Sequence, residues 1–484
     1  MIYDLAIVGG GINGAALLRE AAARDLTAIL FERKDYGSGS TSRSSRLLHC
    51  GLRYLAPGGP ATRFLRQPGQ FLRALNAARR GMQARNQLCQ ERPHLLRPIR
   101  MMFPLFEGDD IKGWQVDAAF ALLSRLGGPG PGLDYRRYRP GRQTESLPFA
   151  DALPQGRRLK SLVAYTEYQI DVPERLCLDL IQEARAMGAT ARNYAPVRNL
   201  VREGALWQVT VSPLGEPDLT VAARAVVNLA GPWVDQVAAL TGAEPAPRMV
   251  ANTRGGHVIV QLPEHFQGHG VMTLSGLDHP FYCFPFRDRH FLGPTEAPDA
   301  SDPDQAGTTP TEVVELLGEA TRQLPGLGLE PEHIIGSWAG MRPLTLEPKT
   351  MMAARNRTIH SFPDGDSRFL SLTNGSIGAH RITACDILGR LGHGALTVQH
   401  HPAPYRADPD PARMAAAEQV HHLEDLIWRR MGLAWDRDAG ASRAEPLARE
   451  LAQTLGWDDV RVEAEIAAWA QRARELGLCQ GARP

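Results

Sequence analysis

The stretch V-G-G-G-I-N-G-A at residues 8–15 contains a G-x-G-x-x-G motif close to the N-terminus. An apolar run, Tyr3–Val8, precedes the motif, and an alanine-rich stretch, Ala15–Arg24, follows it. A second apolar run, Thr27–Phe31, then ends at Glu32. This order predicts a strand, a glycine turn, a helix and a second strand followed by an acid, which is the βαβ unit that binds a dinucleotide.

The chemistry of this unit follows from its residues. Glycines let the backbone turn sharply and approach a pyrophosphate, and the amides at the start of the helix face that anion. Glu32 lies where a carboxylate accepts a hydrogen bond from a ribose hydroxyl. Arg33 alone would favour the 2′-phosphate of NADP, but the serine-rich segment 37–46 suits a loop around a phosphate and a flat ring system. That segment changes abruptly into the patterned run 47–55, which an ordinary flexible Gly/Ser linker does not explain.

At these residues the chain resembles the FAD-dependent glycerol-3-phosphate dehydrogenases, within the wider group of D-amino-acid-oxidase-like flavoproteins. The resemblance covers nearly the whole chain and is weak only from about residue 100 to 149. Its motifs are G-G-G-I-N-G-A (9–15), T-S-R-S-S (41–45), H-C-G-L-R-Y-L (49–55), Y-Q-I-D (168–171), V-V-N-L-A-G-P-W-V (226–234), G-G-H-V-I-V (255–260), G-P-T-E (293–296) and G-M-R-P-L (340–344).

The resemblance implies noncovalently bound FAD. The residues expected to hold it come from the glycine turn, the acid, the serine-rich loop and several strand ends. They are Gly9, Gly11, Ile12, Asn13, Gly14, Glu32, Arg33, Thr41, Ser42, Ser45, Arg46, Leu47, Leu48, His49, Val197, Ala230, Gly231, Trp233, Gly340, Gly375, Ser376 and Ile377.

The resemblance also assigns the substrate side of the site. His257 is the expected catalytic base, because imidazole titrates near working pH, and His49 is its rival, with a role in shaping the flavin pocket. Arg342, with Arg53 and Tyr54, is expected to bind the anionic end of the substrate, since guanidinium matches phosphate or carboxylate geometry.

One segment departs from the family pattern. Where the family reads G-G-K-L-T-T-Y-R, this chain reads N-G-S-I-G-A-H-R at residues 374–381. Ser376 thus replaces a lysine that helps to hold substrate phosphate, and Gly378 and Ala379 replace two threonines. Arg254 or His380 is expected to supply the missing cation, unless the pocket serves another small hydroxylated or anionic compound.

The resemblance therefore implies FAD-dependent oxidation of sn-glycerol 3-phosphate, or of a closely related small phosphorylated alcohol, to dihydroxyacetone phosphate. A hydride passes to flavin N5, and the electrons go on to a quinone or to O₂. Two alternatives stay open: an oxidase or dehydrogenase of another small amino or 2-hydroxy acid, and a flavin-binding homologue that has lost activity.

The expected fold is α/β: a Rossmann-like FAD-binding domain interleaved with an α+β antiparallel-sheet substrate cap, plus a C-terminal helical domain. The FAD-binding domain is expected at residues 1–75, 161–240 and 336–400, the cap at 76–160 and 241–335, and the helical domain at 401–484. The segment Gly127–Gly141, with its prolines and tyrosines, predicts a loop.

Composition fits a soluble enzyme. No run approaches the apolar length of a membrane-spanning helix, the first strand leaves no room for a signal peptide, and six scattered cysteines indicate neither disulfides nor a metal site. The net charge is only +1, yet residues 53–100 hold ten arginines against one acid, Glu91, with leucines and phenylalanines between them. Such a segment suits an anionic membrane surface as well as a solvated basic face, and no motif supports nucleic acid. The expected location is the cytoplasm, either free or peripherally attached to the inner face of the cell membrane.

Overall fold

The computed structural model describes residues 1–55, 68–244, 248–274, 280–348, 350–361 and 368–478. Of Arg53, Tyr54, Pro68 and Gln70 it describes the backbone alone. The strands, in chain order, are β1 (Ile2–Val8), β2 (Ala28–Phe31), β3 (Leu47–Leu48), β4 (Leu96–Phe106), β5 (Arg136–Tyr138), β6 (Leu159–Ile170), β7 (Thr190–Arg192), β8 (Val197–Glu203), β9 (Leu206–Val211), β10 (Leu219–Asn228), β11 (Val250–Val260), β12 (His269–Thr273), β13 (Phe281–Phe286), β14 (Arg289–Gly293), β15 (Ala297–Pro298), β16 (Ile334–Glu347), β17 (Met352–Ala354), β18 (Thr358–Ser361) and β19 (Phe369–Thr373).

Helices connect and cover these strands. In chain order they are α1 (Ile12–Ala22), α2 (Leu52–Leu55), α3 (Pro68–Glu91), α4 (Gly113–Leu126), α5 (Arg142–Glu145), α6 (Pro173–Ala186), α7 (Val234–Ala239), α8 (Pro310–Gln323), α9 (His380–Arg390), α10 (Pro411–Ala417), α11 (Ala441–Leu455) and α12 (Asp459–Glu475), with a π-helical turn at Asp425–Arg430. Within the described residues no helix combines the length and the apolar character that a bilayer crossing requires.

The first sheet contains the N-terminal βαβ unit. Its strand order is β18-β19-β10-β1-β2-β7, with β9 and then β8 added beside β10. The strands from β19 to β7 run parallel, and α1 packs against α6 and α9. Parallel strands bury both faces, which accounts for the buried apolar run L-A-I-V at residues 5–8 of β1. The Rossmann-like prediction is confirmed.

The second sheet forms the other layer. Its order is β17-β16-β11-β14-β13-β12-β4-β6-β3, with β15 beside β11 and β5 beside β6. Its pairs are antiparallel except β12 with β4, which is parallel. The short strand β5 lies inside the segment 127–141, where a loop was predicted, because its backbone pairs with residues 162–164 of β6.

Several strands lie in a different layer from the one their sequence position suggested. β6 and β16 belong to the second sheet, although residues 161–170 and 336–347 were assigned to the FAD-binding part. The expected boundary at 75/76 falls inside α3. Apolar strands read alike whichever sheet they join, so the sequence could not assign them. The domain division itself stays a prediction.

The C-terminal unit, residues 411–478, is helical and is joined to the first layer by buried ion pairs. Asp35, three residues after Glu32, accepts from Arg430 Nη2 at 2.9 Å and also pairs with Arg429. Burial by itself raises the pKa of Asp35, but the charges of Arg430 and Arg429 outweigh burial and leave this pKa below its ordinary value. Tyr36, fully buried, donates to Gln419 Oε1 at 2.8 Å. The unit is therefore fixed to the turn that carries the predicted ribose acid.

Candidate active site

A cavity of about 810 Å³ lies between the carboxyl ends of the first sheet and one face of β11 and β16. It collects segments far apart in the chain. The predicted cofactor residues that line it are Gly9, Gly11, Ile12, Asn13, Glu32, Arg33, Thr41, Ser45, Arg46, Leu47, Leu48, His49, Val197, Ala230, Gly231, Trp233, Gly340, Gly375, Ser376 and Ile377.

The glycine turn has the geometry that close approach to a pyrophosphate requires. Gly9 has φ of +110°, and a Cβ on it would lie 2.6 Å from the carbonyl oxygen of Leu229 at the end of β10. A Cβ on Gly14 would lie 1.9 Å from the carbonyl oxygen of Gly9. Gly11 begins α1 without a side-chain cap, and the first turn holds no acid. The Ile12 N–H donates to Thr41 Oγ1 at 3.1 Å, and the positive end of the helix, with no acid in its own first turn, lies at the cavity, which fits an anionic cofactor group.

Glu32 and Arg33 line the cavity just after β2. Glu32 accepts from the backbone N–H groups of Gly10 (2.6 Å) and Lys34 (2.9 Å). Arg33 lies over the indole of Trp233, 4.2 Å from the ring centroid, and pairs with Asp304 at 2.7 Å. Asp304 therefore engages the guanidinium that would otherwise be available to a 2′-phosphate.

Asn13, in the first turn of α1, contacts the segment 374–381 that departs from the family pattern. Asn13 Nδ2 donates to the carbonyl oxygen of Gly375 at 3.3 Å, while Asn13 Oδ1 is buried and has no partner among the described residues. A Cβ on Gly375 would lie 2.6 Å from Asn13 Nδ2. An unpaired buried acceptor on a cavity-lining residue is a place for a ligand donor, since buried polar groups are normally hydrogen-bonded. The residues present therefore fit a bound dinucleotide.

The other wall of the cavity is the face that β11 and β16 share. His257 pairs with Trp338, Gly255 with Gly340 and Thr253 with Arg342. Directly opposed side chains project from the same face, so His257 and Arg342 lie on one surface with Gly255 between them. A Cβ on Gly255 would lie 2.2 Å from Arg342 Nη2. The guanidinium therefore lies directly against Gly255, where any side chain would clash with it.

His257 is held rigidly and kept neutral. Its ring stacks on the indole of Trp338, with centroids 4.2 Å apart and planes 7° apart. The side chain is buried, and neither ring nitrogen has a hydrogen-bond partner in the described part of the chain. Burial, and then the charge of Arg342, lower the pKa of His257 to about 3. The neutral imidazole at the cavity wall can accept a hydrogen bond from a bound substrate hydroxyl. Its pKa lies well below the working pH on which the sequence argument for a base relied, because burial and Arg342 disfavour the imidazolium.

Some predicted residues do not line this cavity. Arg254 faces the other side of β11, where it pairs with Asp299 and with Glu312 Oε2 at 3.1 Å. His380 is buried in α9, with Nδ1 2.7 Å from the carbonyl oxygen of Ile377. Neither residue therefore places a cation in the cavity to replace the lysine that the family has at position 376. Gly14 and Ser42 lie behind the lining residues, and the side chains of Arg53 and Tyr54 are outside the described residues.

Other lining residues were missed. Some belong to the serine-rich loop already singled out: Ser38, Gly39, Ser40, Arg43 and Ser44. A second group, Ala77, Arg80, Gly81 and Arg85, recurs at helical spacing along α3, so periodicity could have placed it on one face. A third, Arg355, Asn356 and Arg357, follows β17 and carries no local motif.

Comparison with known proteins identifies similar FAD-dependent oxidoreductases by sequence and by fold. A family model described as FAD dependent oxidoreductase matches residues 4–391. The chain is 28% identical over 429 residues to a glycerol-3-phosphate dehydrogenase of Synechocystis, covering 85% of this chain and 74% of that protein. It is 28% identical over 403 residues to a D-erythritol 1-phosphate dehydrogenase of Brucella abortus, covering 81% and 74%. The structure of a Bacillus halodurans glycerol-3-phosphate dehydrogenase complexed with FAD superposes with a TM-score of 0.72 at 19% identity, covering 100% of this chain and 96% of that one.

Proposed function

The chain belongs to the family of FAD-dependent oxidoreductases, and from that premise we propose that it oxidises sn-glycerol 3-phosphate, or a closely related small phosphorylated alcohol, to the ketone. The observation that carries the proposal is the cavity face on which neutral His257 and cationic Arg342 lie together. The names of the relatives from Synechocystis and Brucella abortus support the same substrate class. When bound, FAD would supply the acceptor for the hydride that leaves the substrate carbon.

The protein residues would divide the remaining work. Arg342 binds the phosphate through its planar fork of donors, and its Nη1 also lies 3.4 Å from the carbonyl oxygen of Thr295. Arg355, paired with the neighbouring Glu296, lines the same cavity and is a second cation in place of Arg254 or His380. His257 takes the hydroxyl proton, and Trp338 behind it excludes water.

The proposal is tested by anaerobic bleaching of the bound flavin. Glycerol 3-phosphate should bleach it at the lowest concentration in a panel that also contains erythritol 1-phosphate, 2-hydroxy acids and amino acids. Preference for an amino or hydroxy acid would establish the first alternative, and no bleaching by any member would establish a homologue without this activity. Preference for erythritol 1-phosphate would keep the reaction class and move the substrate to a four-carbon polyol phosphate.

We expect the purified protein to be yellow. The complete strand, turn, helix and acid arrangement, together with the Arg33–Asp304 pair, favours FAD over NADP. Denaturation should release FAD without FMN, as measured by chromatography of the supernatant. A colourless protein that binds NADPH alone would contradict this assignment.

Membrane association is a further part of the proposal. The described portion of the arginine-rich segment is α3, where Arg73 and Arg79 are exposed and Leu72 is 63% exposed. Trp114, on the neighbouring α4, is 65% exposed. Arginines beside exposed apolar side chains suit an anionic lipid surface. Arg66 lies outside the described residues, and Arg80 lines the cavity, so neither serves as a test position.

The protein should therefore sediment with anionic liposomes at low salt and leave them as salt rises. Salt screens the attraction, because the Debye length falls from roughly 30 Å at 0.01 M to 3 Å at 1 M ionic strength. Arg73→Gln with Arg79→Gln should weaken sedimentation and leave flavin reduction unchanged. The matched control is Arg413→Gln with Arg449→Gln, exposed arginines of the C-terminal unit. Equal sedimentation with neutral and anionic vesicles would show an ordinary basic surface.

The choice between quinone and O₂ as electron acceptor is measured separately, from the rates at which each acceptor reoxidises the reduced flavin.

A further inference from the structure

One aromatic residue of the C-terminal unit lies behind the cavity wall, against a residue that lines the cavity. Trp435 is 3% exposed and lies outside the residues that the family model matches. Arg46 Cζ lies 4.3 Å from the centroid of its ring, and the ring of Phe286 lies 5.0 Å from the same atom. Arg46 itself lines the cavity.

Arg46 is held by this stacking together with one buried ion pair and two donations to backbone carbonyl oxygens. It donates to the backbone carbonyl oxygen of Asp171, and its nearest acid, Glu174, is 3.7 Å away. A fully buried guanidinium is costly even with one carboxylate 3.7 Å away, and stacking on an aromatic face lowers that cost most when water is excluded. The face of Trp435 therefore helps to fix this cation, alongside its ion pair and its hydrogen bonds.

The same indole also contacts the catalytic face. Trp435 meets Trp338 edge to face, with centroids 5.8 Å apart and planes 83° apart. Trp338 in turn stacks on His257. One side chain thus supports both the cation in the cofactor cavity and the platform under the proposed base.

We propose that Trp435 is a positioning residue of the active site, through which the C-terminal unit fixes Arg46 for FAD binding and Trp338 for His257. The FAD branch rests on family membership, whereas the His257 branch rests on the proposed function. The arrangement gives the C-terminal unit a role in cofactor affinity, although its residues do not enter the cavity in the described part of the chain.

The test uses the full-length protein, stripped of FAD and titrated with it. Trp435→Leu should raise the FAD dissociation constant about five- to thirtyfold, the range expected for a desolvated cation–π contact. Trp435→Phe keeps an aromatic face and should stay within about threefold of wild type. Trp435→Met is a second ring-deleting variant, since methionine fills irregular gaps.

The matched control is Trp469→Leu. Trp469 is buried in the same unit, 2% exposed, and donates to the carbonyl oxygen of Ala439. It should lower the melting temperature comparably and leave FAD affinity and the flavin absorption spectrum unchanged. With substrate, Trp435→Leu should lower kcat more than it raises KM, because His257 is displaced and Arg342 is not.

Three results would overturn the inference: wild-type FAD affinity in Trp435→Leu or Trp435→Met, an equal loss in Trp469→Leu, or a loss beyond tenfold in folded Trp435→Phe. If both ring-deleting variants fail to fold, the Trp435→Phe titration decides the question alone. The FAD titrations need no substrate, so they stand even if glycerol 3-phosphate proves not to be oxidised.

Discussion

Replacement of His257 by alanine should slow anaerobic flavin reduction at saturating substrate by about 10²- to 10⁴-fold, the usual contribution of a general base. The neutral imidazole at the cavity wall is the proton acceptor of the proposed reaction, and alanine leaves none in its place. Stopped-flow absorbance under anaerobic conditions measures this rate directly, and FAD content should remain that of the wild type.

The chain offers a matched control in His290. This histidine is also buried, on the neighbouring strand β14, and burial lowers its pKa to about 4. Its Nε2 lies 3.2 Å from the carbonyl oxygen of Phe266, away from the cavity. His290→Ala should cost stability while the folded, FAD-loaded protein is reduced normally. Normal reduction of His257→Ala would remove this histidine from the mechanism.

The pH dependence follows from the depressed pKa of His257. At about 3, it leaves the imidazole neutral from pH 5 to 8. The kcat/KM profile, which reports the free enzyme, should therefore lack an inflection near 6.5 due to this group. The unfolded chain binds the proton near 6.5 and the folded one near 3. The contribution of His257 to stability is thus complete above pH 6.5 and is lost as pH falls from there toward 3.

Replacement of Arg342 by alanine should raise KM for the phosphorylated substrate by about 10- to 150-fold. This range corresponds to about 1.5–3 kcal/mol for a hydrogen bond to a charged group. Arg342→Lys keeps the charge without the planar fork and should recover part of the loss. Initial rates over a range of substrate concentrations separate KM from kcat.

Arg254→Ala is the control for this prediction. Arg254 lies on β11 directly opposite Met341, but it faces Asp299 and Glu312 instead of the cavity. Its removal should leave KM near the wild-type value. A large KM effect at Arg254 with none at Arg342 would mean that the substrate binds on the other face of the sheet.

The sequence was sufficient where a local pattern determines the backbone. The glycine turn predicted β1, α1 and β2 because each glycine is required by a contact within or next to that unit, such as Gly14 against Gly9. The motif at residues 255–260 lies in β11, whose antiparallel pairing with β14 and β16 fits the predicted antiparallel-sheet cap. The assignments of His257 and Arg342 to one site came from resemblance, and their catalytic roles stay predictions.

The sequence was insufficient where long-range contacts decide. Nothing local shows that Arg254 and Arg342 face opposite sides, because that depends on the register between β11 and β16. Arg254 or His380 was expected to replace the lysine of the family at position 376, but neither lines the cavity, whereas Arg355 does and carries no local motif. The contact of Trp435 with Arg46 joins residues almost 400 positions apart, and no pattern in either segment announces it.

The pairing of β1 with β10 has a consequence for synthesis of the protein. β1 ends at Val8, but its parallel partner ends at Asn228, and the next strand of that sheet, β19, ends at Thr373. At about 5–20 residues per second, the ribosome needs roughly 10–45 s to complete β10 after β1 has been made. During this time the nascent β1–α1–β2 unit exposes the edge of β1 that β10 will later cover. Unpaired strand edges of this kind associate with other chains. We expect newly made chains to need a chaperone during this interval, and fragments that end before Asn228 to aggregate.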